Sequence, residues 1–401
     1  IRALEMTALQ MVQITRRIDP HLSIDRYDPE GELMLLHFGP QHPSTHGVFR
    51  MDLYLDGEKV VKVIPHVGYL HRAVEKLCET LAYVQITPIV DKNDYVAPMT
   101  NEQALNMAFE AALKLEVPRR ARWMRTLFAE LQRIASHLLW LGTFALDLGG
   151  ALGGGSTVFI HCFRERELVL DLFEEVTGAR FHYNTHTIGG NRHDLPAGWS
   201  AKVHAALDVI GPRLDEYEAM TLENRIFLDR TVGVGKLDAE LALELGITGP
   251  ILRACGVDHD LRRDAPFHAY DEVKVNVVTA QGGDCLARAQ VRLGEMRESI
   301  RLVREMVDSV PEGSINSGKP VKLPVQTKIP PGQVYVAIET PRGELGTYLV
   351  SDGTQFPYRL KIRPPSLHAL SALPYIIPGG TVSDAVAILG SVDPIMGEVD
   401  R

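Results

Sequence analysis

Two histidines stand four residues apart in "GPQHPSTHGV" (39–48), a segment dense in helix breakers. His42 and His46 offer three chemistries: metal ligation, proton handling, or hydrogen-bonded packing of a tight loop. His-x-x-x-His binds zinc well on a helix, where both rings share a face. Here Pro43 follows His42, Gly47 follows His46, and no Glu-x-x-His or Cys-x-x-Cys adds ligands. A packed loop and a proton-handling site remain, since imidazole titrates near neutral pH.

Two further groups carry chemistry. "VDKNDYVAP" (90–98) sets Asp94 beside Tyr95. A buried tyrosine hydroxyl bonds either a local partner or the carbonyl of a ligand. Asp147 sits in the apolar "WLGTFALDLGG", past the end of a long helical pattern. A carboxylate there is costly unless paired. It is a cap, a buried ion pair, or the partner that orients a histidine and favours its charged form. "FRERE" (163–167) reads as structural ion pairs, and Asp393-Pro394 in the final "DPIMGEVDR" (393–401) as a rigid turn.

The elements that position these groups are legible in outline. "ELMLLHF" (32–38) reads as a strand, and "VFRMDLYL", Asp56-Gly57 and "EKVVKVIP" as a hairpin. The histidine loop therefore joins two strands at the edge of an N-terminal sheet. Apolar residues from Met124 to Leu138 recur at three and four, which predicts a helix over 118–141 with one apolar stripe, Pro118 inside its start and Gly142 past its end. A second long helix is expected over 284–310, its charges facing solvent or a partner. "PEGSINSGKPVKLPVQTKIPPG" (311–332) reads as a linker. A second hairpin is expected at Asp352-Gly353, and a short helix at 382–391. The expected organisation is an extension (1–31), a sheet with the histidine loop (32–70), a helical bundle (71–310), the linker, and a C-terminal α/β segment (333–401). The fold class is α+β.

The chain has 401 residues, 45% of them hydrophobic, with a net charge of −9. That is enough for a sizeable core, and the acidic balance argues against nucleic acid as a partner. Four scattered cysteines, none in a Cys-x-x-Cys pair, fit a reducing compartment. No secretory signal pattern opens the sequence. The least charged stretch, 137–163, contains Asp147 and six glycines and makes a poor membrane span.

"GPQHPSTHG", "VGYLHRAVEKL", "ELQRIASHLLWLG", "FRERE", "GELGTYLVSDG" and "DPIMGEVDR" together resemble one family, in order, from about residue 32 to the end. It is the family of the hydrogenase-like, quinone-site subunit of NADH–quinone oxidoreductase, respiratory complex I. The resemblance implies a fold like the nickel–iron hydrogenase large subunit, with an N-terminal antiparallel sheet, a central helix bundle and a C-terminal α/β cap. Those hydrogenases hold metal through two Cys-x-x-Cys pairs, which fall here on Asp94 and Ala97, and on Ile395 and Glu398. A nickel–iron centre requires soft thiolates, so the resemblance implies an emptied cavity that receives a quinone headgroup.

By the same resemblance His46 and Tyr95 bond the quinone carbonyls, and Asp147 pairs with the histidine. Arg72 and His182 approach the terminal iron–sulfur cluster of a neighbouring, hydrogenase-small-subunit-like subunit. This chain would bind no redox cofactor or metal itself. Its partners would be quinone and the peripheral-arm and membrane-arm subunits of a proton-translocating complex fed by NADH, with the chain peripheral on the cytoplasmic face of a bacterial inner membrane. The sequence departs from the family at the glycine-rich "GGALGGGSTVFIHC", at Lys92-Asn93 where an arginine is frequent, at "HTIGG" (186–190), which lacks an arginine, and in its short linker. These departures bear on cavity shape, quinone preference and partner contacts. Two rivals are a hydrogenase-like complex with another electron donor, which the missing cysteines disfavour, and a non-catalytic scaffold subunit.

Overall fold

A computed structural model of the chain describes residues 33–148, 155–317 and 327–401. The expected extension and most of the glycine-rich insertion lie outside these residues, as does the middle of the expected linker. Three antiparallel sheets and a set of helices make an α+β fold among the described residues.

The N-terminal sheet has strands β1 (Met34–Phe38), β2 (Arg50–Asp56) and β3 (Lys59–His66), in that order. Phe38 pairs with Met51, and Asp56 with Lys59 across the Asp56-Gly57 turn. Met51 and Leu53 alternate onto the buried face, and a register shift between Tyr54 and Leu55 brings Val63 and Val60, opposite Leu53 and Leu55, onto it as well. The histidine loop connects β1 to β2, as its sequence position requires.

Helices α1 (Tyr83–Val90) and α2 (Pro98–Leu113) lead into α3 (Arg119–Asp147), which packs against α4 (Gly155–Thr177) and α6 (Cys285–Val307); α5 (Trp199–Met220) lies against α4 and α6. Between α4 and α5 a two-residue pair, β4 (His186–Thr187) and β5 (Gly190–Asn191), forms the smallest sheet. The expected end of α3 at Gly142 is corrected: the helix runs on to Asp147, which is its last residue rather than a residue beyond it. Gly142 serves packing instead, since a Cβ there would come within 3.2 Å of the Phe159 backbone on α4. The single apolar stripe expected on α3 is also too narrow a description. Met124, Leu127 and Leu131 are fully buried, but so are Arg125, Glu130, Arg133 and His137 on its other faces. On α6, likewise, Arg288, Arg292 and Glu295 are buried rather than solvated. Charged residues survive burial only when their polar atoms find partners: Glu130, Arg133, His137 and Glu295 share one ionic network, Arg125 pairs with Glu110, and Arg288 and Arg292 donate to backbone carbonyls.

The C-terminal sheet joins β6 (Gly332–Thr340), β7 (Gly343–Ser351) and β8 (Arg359–Arg363). Its tight turn is Pro341-Arg342, because Thr340 pairs with Gly343. Asp352-Gly353 instead begins the wider connection 352–358 between β7 and β8. Helices α7 (Val382–Val392) and α8 (Met396–Asp400) close the chain. Phe49 of the histidine loop, Met51 of β2, Leu131 of α3 and Met396 of α8 belong to one hydrophobic cluster, so the N-terminal sheet and the last helix share a core with the bundle. No helix among the described residues is long and apolar enough to cross a membrane.

Candidate active site

The histidine loop gives its two histidines different work. His42 caps a single 3-10 turn, Pro43–Thr45, accepting the Ser44 amide at 3.2 Å, and its ring lies 4.5 Å from the Phe38 ring. Thr45 is fully buried and donates to His42 O and Gly47 O, which braces the loop. His46 follows with φ 52, in the left-handed region. Its Nε2 lies 2.5 Å from Asp147 Oδ2, a charge-assisted contact. Among the described residues no three His, Cys, Asp or Glu side chains converge as metal ligands.

Asp147 reaches the loop because α7 passes close to the end of α3. A Cβ on Gly390 would stand 2.6 Å from Asp147 Oδ2, and the Trp140 indole donates to Gly390 O at 2.9 Å. Only glycine leaves room for the carboxylate there. Burial works against a charged His46, but the Asp147 carboxylate outweighs it, with help from Asp393 and opposition from Arg342, so the imidazole pKa is raised. Burial with a carboxylate partner thus holds His46 as an imidazolium more firmly than water would.

His46 and Tyr95 wall the same cavity, of about 460 Å³. Val96, Leu139, Leu170 and Ile395 give it apolar walls, and Phe181, 48% exposed, stands at its rim. That is the size and character of a site for a small organic ligand with a few polar contacts. Tyr95 is held by the turn before α2: Asp94 Oδ1 accepts the amides of Val96 and Ala97 at 3.0 and 3.1 Å. Among the described residues no protein group bonds the Tyr95 hydroxyl, which leaves it available to a ligand. Burial chiefly raises its pKa, Asp94, Asp393 and Glu398 add to the rise, and Arg342 opposes it, so Tyr95 stays a protonated donor.

Behind this wall lies a charge cluster that sequence reasoning missed. Arg342, at the β6–β7 turn, donates to Asp94 Oδ2 at 2.7 Å, to Asp393 Oδ1 at 3.2 Å and to Ser136 Oγ at 3.2 Å. It ties the segment at 94–97 to the segment at 393–398. Glu398 is pushed up to about 7 by burial and by the Asp94 charge. Asp393, read from sequence only as part of a turn, lines the cavity. So does Arg166. The ion-pair reading of "FRERE" holds for Arg164 with Glu165 and for Glu167 with Arg180. Arg166 turns away from both acids, with its guanidinium 6.0 Å from the centre of the Phe163 ring. Its signal was its place between two paired acids; nothing local showed that it turns the other way.

Residues 153–401 match the family described as respiratory-chain NADH dehydrogenase, 49 Kd subunit. The chain belongs to this family. A Koribacter versatilis protein, named as an NADH-quinone oxidoreductase subunit of the D type, is 46% identical over 393 residues, which cover 93% of this chain and 97% of that protein. A Rhizobium etli protein of the same name is 44% identical, with 93% and 98% covered. A Geotalea uraniireducens protein, also named as a D-type NADH-quinone oxidoreductase subunit, is 43% identical, with 92% and 99% covered.

In this member of the 49 Kd family, Arg72 and His182 meet at one turn. Arg72 Nη2 donates to Lys92 O at 3.3 Å and Asn93 Oδ1 at 3.2 Å. His182 Nδ1 lies 3.4 Å from Asp91 Oδ2, with the imidazole 29% exposed. The turn they flank, Asp91–Asn93, leads directly to Tyr95. The sequence-expected residues thus fall into two groups, His46, Tyr95 and Asp147 at the cavity and Arg72 and His182 at the adjoining turn.

Proposed function

We propose that this chain forms the quinone-reducing wall of a respiratory NADH–quinone oxidoreductase. The observation that carries the reading is the His46–Asp147 contact at the wall of a cavity that Tyr95 also lines. Quinone reduction takes two electrons and two protons, and the charge develops on two carbonyl oxygens at opposite ends of the ring. A donor must stand near each. His46, held as imidazolium by Asp147, serves one oxygen, and the Tyr95 hydroxyl serves the other. The apolar walls exclude water and strengthen both hydrogen bonds.

In this reading an iron–sulfur cluster of a neighbouring subunit would supply electrons one at a time, and Arg72 and His182 would supply positive charge that favours the electron's arrival there. When the His46 proton passes to the reduced quinone, Asp147 loses its cationic partner, and that change of charge is a starting point for coupling to proton translocation. A hydrogenase-like fold is part of this reading. The two segments that would carry metal-binding thiolates carry Asp94, Ala97, Ile395 and Glu398, drawn together by Arg342.

The test uses membranes that carry the intact complex. NADH oxidation is followed with quinone and with an artificial acceptor that takes electrons at cluster level, in wild type and Tyr95→Phe. Loss of one buried hydrogen bond to the reacting carbonyl should slow the quinone reaction roughly ten- to a hundredfold and spare the artificial acceptor. Equal quinone rates in the two proteins would make Tyr95 structural. An absence of NADH oxidation in wild type would point to another electron donor.

A further inference from the structure

Away from the cavity, two acids are buried as neighbours in the interior. Asp91 follows the last residue of α1, and Glu102 lies in the first turns of α2; they are 1% and 0% exposed. Glu102 Oε2 accepts the His186 amide at 2.8 Å, and Asp91 Oδ2 faces His182 Nδ1 at 3.4 Å. The other two oxygens, Asp91 Oδ1 and Glu102 Oε1, are buried without a donor. The two carboxyl groups are neighbours, and the Asp91 charge acts on Glu102.

Ionised carboxylates only accept, so two of them side by side leave both oxygens unsatisfied and their charges repelling. A single proton between them removes both costs. The surroundings agree. Lys92 is the cation near Asp91 and His182 the titratable base beside it, the amides of Asn184 and His186 face Glu102, and Tyr183 is close to both acids. None of these is an arginine bound to either acid, in contrast to the buried acids Glu130, Asp260 and Glu295, each of which has one. Burial pushes both Asp91 and Glu102 above the ordinary carboxylate range, Glu102 the further.

We propose that Asp91 and Glu102 form an acid–carboxylate pair that holds one proton between them and exchanges it with His182. In the exchange a carboxyl O–H bond breaks and an N–H bond forms at His182 Nδ1. The pair is left with two negative charges opposite an imidazolium and Lys92, and the return of the proton restores it. His182, partly exposed, is the route to solvent or to a partner surface. The use of this pair in turnover rests on the quinone-reductase reading, but its proton content does not.

The experiment is infrared spectroscopy of the intact complex at neutral pH, in wild type and Glu102→Gln. The glutamine amide supplies the donor covalently, so the shared acid proton is no longer needed. One protonated-carboxyl stretching absorption should vanish in the variant, while the quinone rate stays within about twofold of wild type, because the pair keeps one negative charge. Asp91→Asn should remove the same absorption by the same substitution of donor, and it serves if the first variant fails to assemble. The absorption should shift on transfer to deuterated water, and the shift should slow roughly tenfold or more in His182→Ala. Identical protonated-carboxyl absorption in wild type and both amide variants would overturn the shared proton. An unchanged deuterium shift in His182→Ala would overturn the exchange route. Neither readout needs quinone turnover, so their failure is separate from failure of the catalytic reading.

Discussion

His46 and His137 each sit against a carboxylate, and they end in opposite states. His46 meets Asp147 at 2.5 Å, and His137 meets Glu295 at 3.0 Å. The cavity histidine has its pKa raised; the interior one is lowered to about 4. For both, burial is the largest influence and disfavours the cation. The difference lies in the next shell of charge. Around His46 a second acid, Asp393, supports the imidazolium against one arginine. Around His137, Arg292 and Arg133 add positive charge, and Glu295 is already claimed by Arg253 at 2.8 Å. One carboxylate contact makes a histidine a proton donor only where the charges beyond it do not oppose it: Asp393 supports Asp147 at His46, and two arginines oppose Glu295 at His137.

The interior network should yield the largest effect. Arg253 binds Glu295 at 2.8 Å, Glu339 at 2.9 Å and Asp260 at 3.3 Å, all buried. Arg253→Ala leaves three buried carboxylates without their shared cation. A loss of about 3–5 kcal/mol is expected, read as a lower melting temperature or failed assembly of the complex. A small loss would mean that water reaches this interior and that the contrast with the cavity is not one of burial.

His137 sharpens the contrast through pH. Its folded pKa of about 4 lies below the ordinary 6.5. Between those values the unfolded chain takes up a proton that the folded chain refuses, so unfolding becomes easier as pH falls. The contribution is full above pH 6.5, is lost as pH falls towards 4, and is flat below that. The melting temperature of wild type should therefore fall more steeply than that of His137→Gln as the pH falls from 7 to 4. His42 marks the small end. His42→Ala removes one cap and one ring contact, for about 1 kcal/mol of stability, with the quinone rate intact. A quinone defect there would mean that the two histidines of the loop act together.

Local pattern made the helices and the first hairpin readable, since apolar periodicity and the Asp56-Gly57 turn are written in neighbouring residues. The residues grouped at the cavity came from the family resemblance, which carries the non-local information that a bare spacing lacks. What stayed hidden is non-local too. Arg342 meets Asp94 across 248 positions and Asp393 across 51. No window on the sequence joins such residues. The true end of α3 was missed because Gly142 looks like a stop signal, whereas it is there to admit α4.

The most direct test of the central claim is the pH profile of quinone reduction in Asp147→Asn, with the cluster-level acceptor as control. Removing the carboxylate charge lowers the pKa of His46, so the alkaline fall in rate should move to lower pH by about one unit, with roughly tenfold less activity on that limb. The control reaction should keep its wild-type profile. A quinone profile superimposable on wild type would contradict the account, because it would mean that the charge on His46 does not serve the reaction.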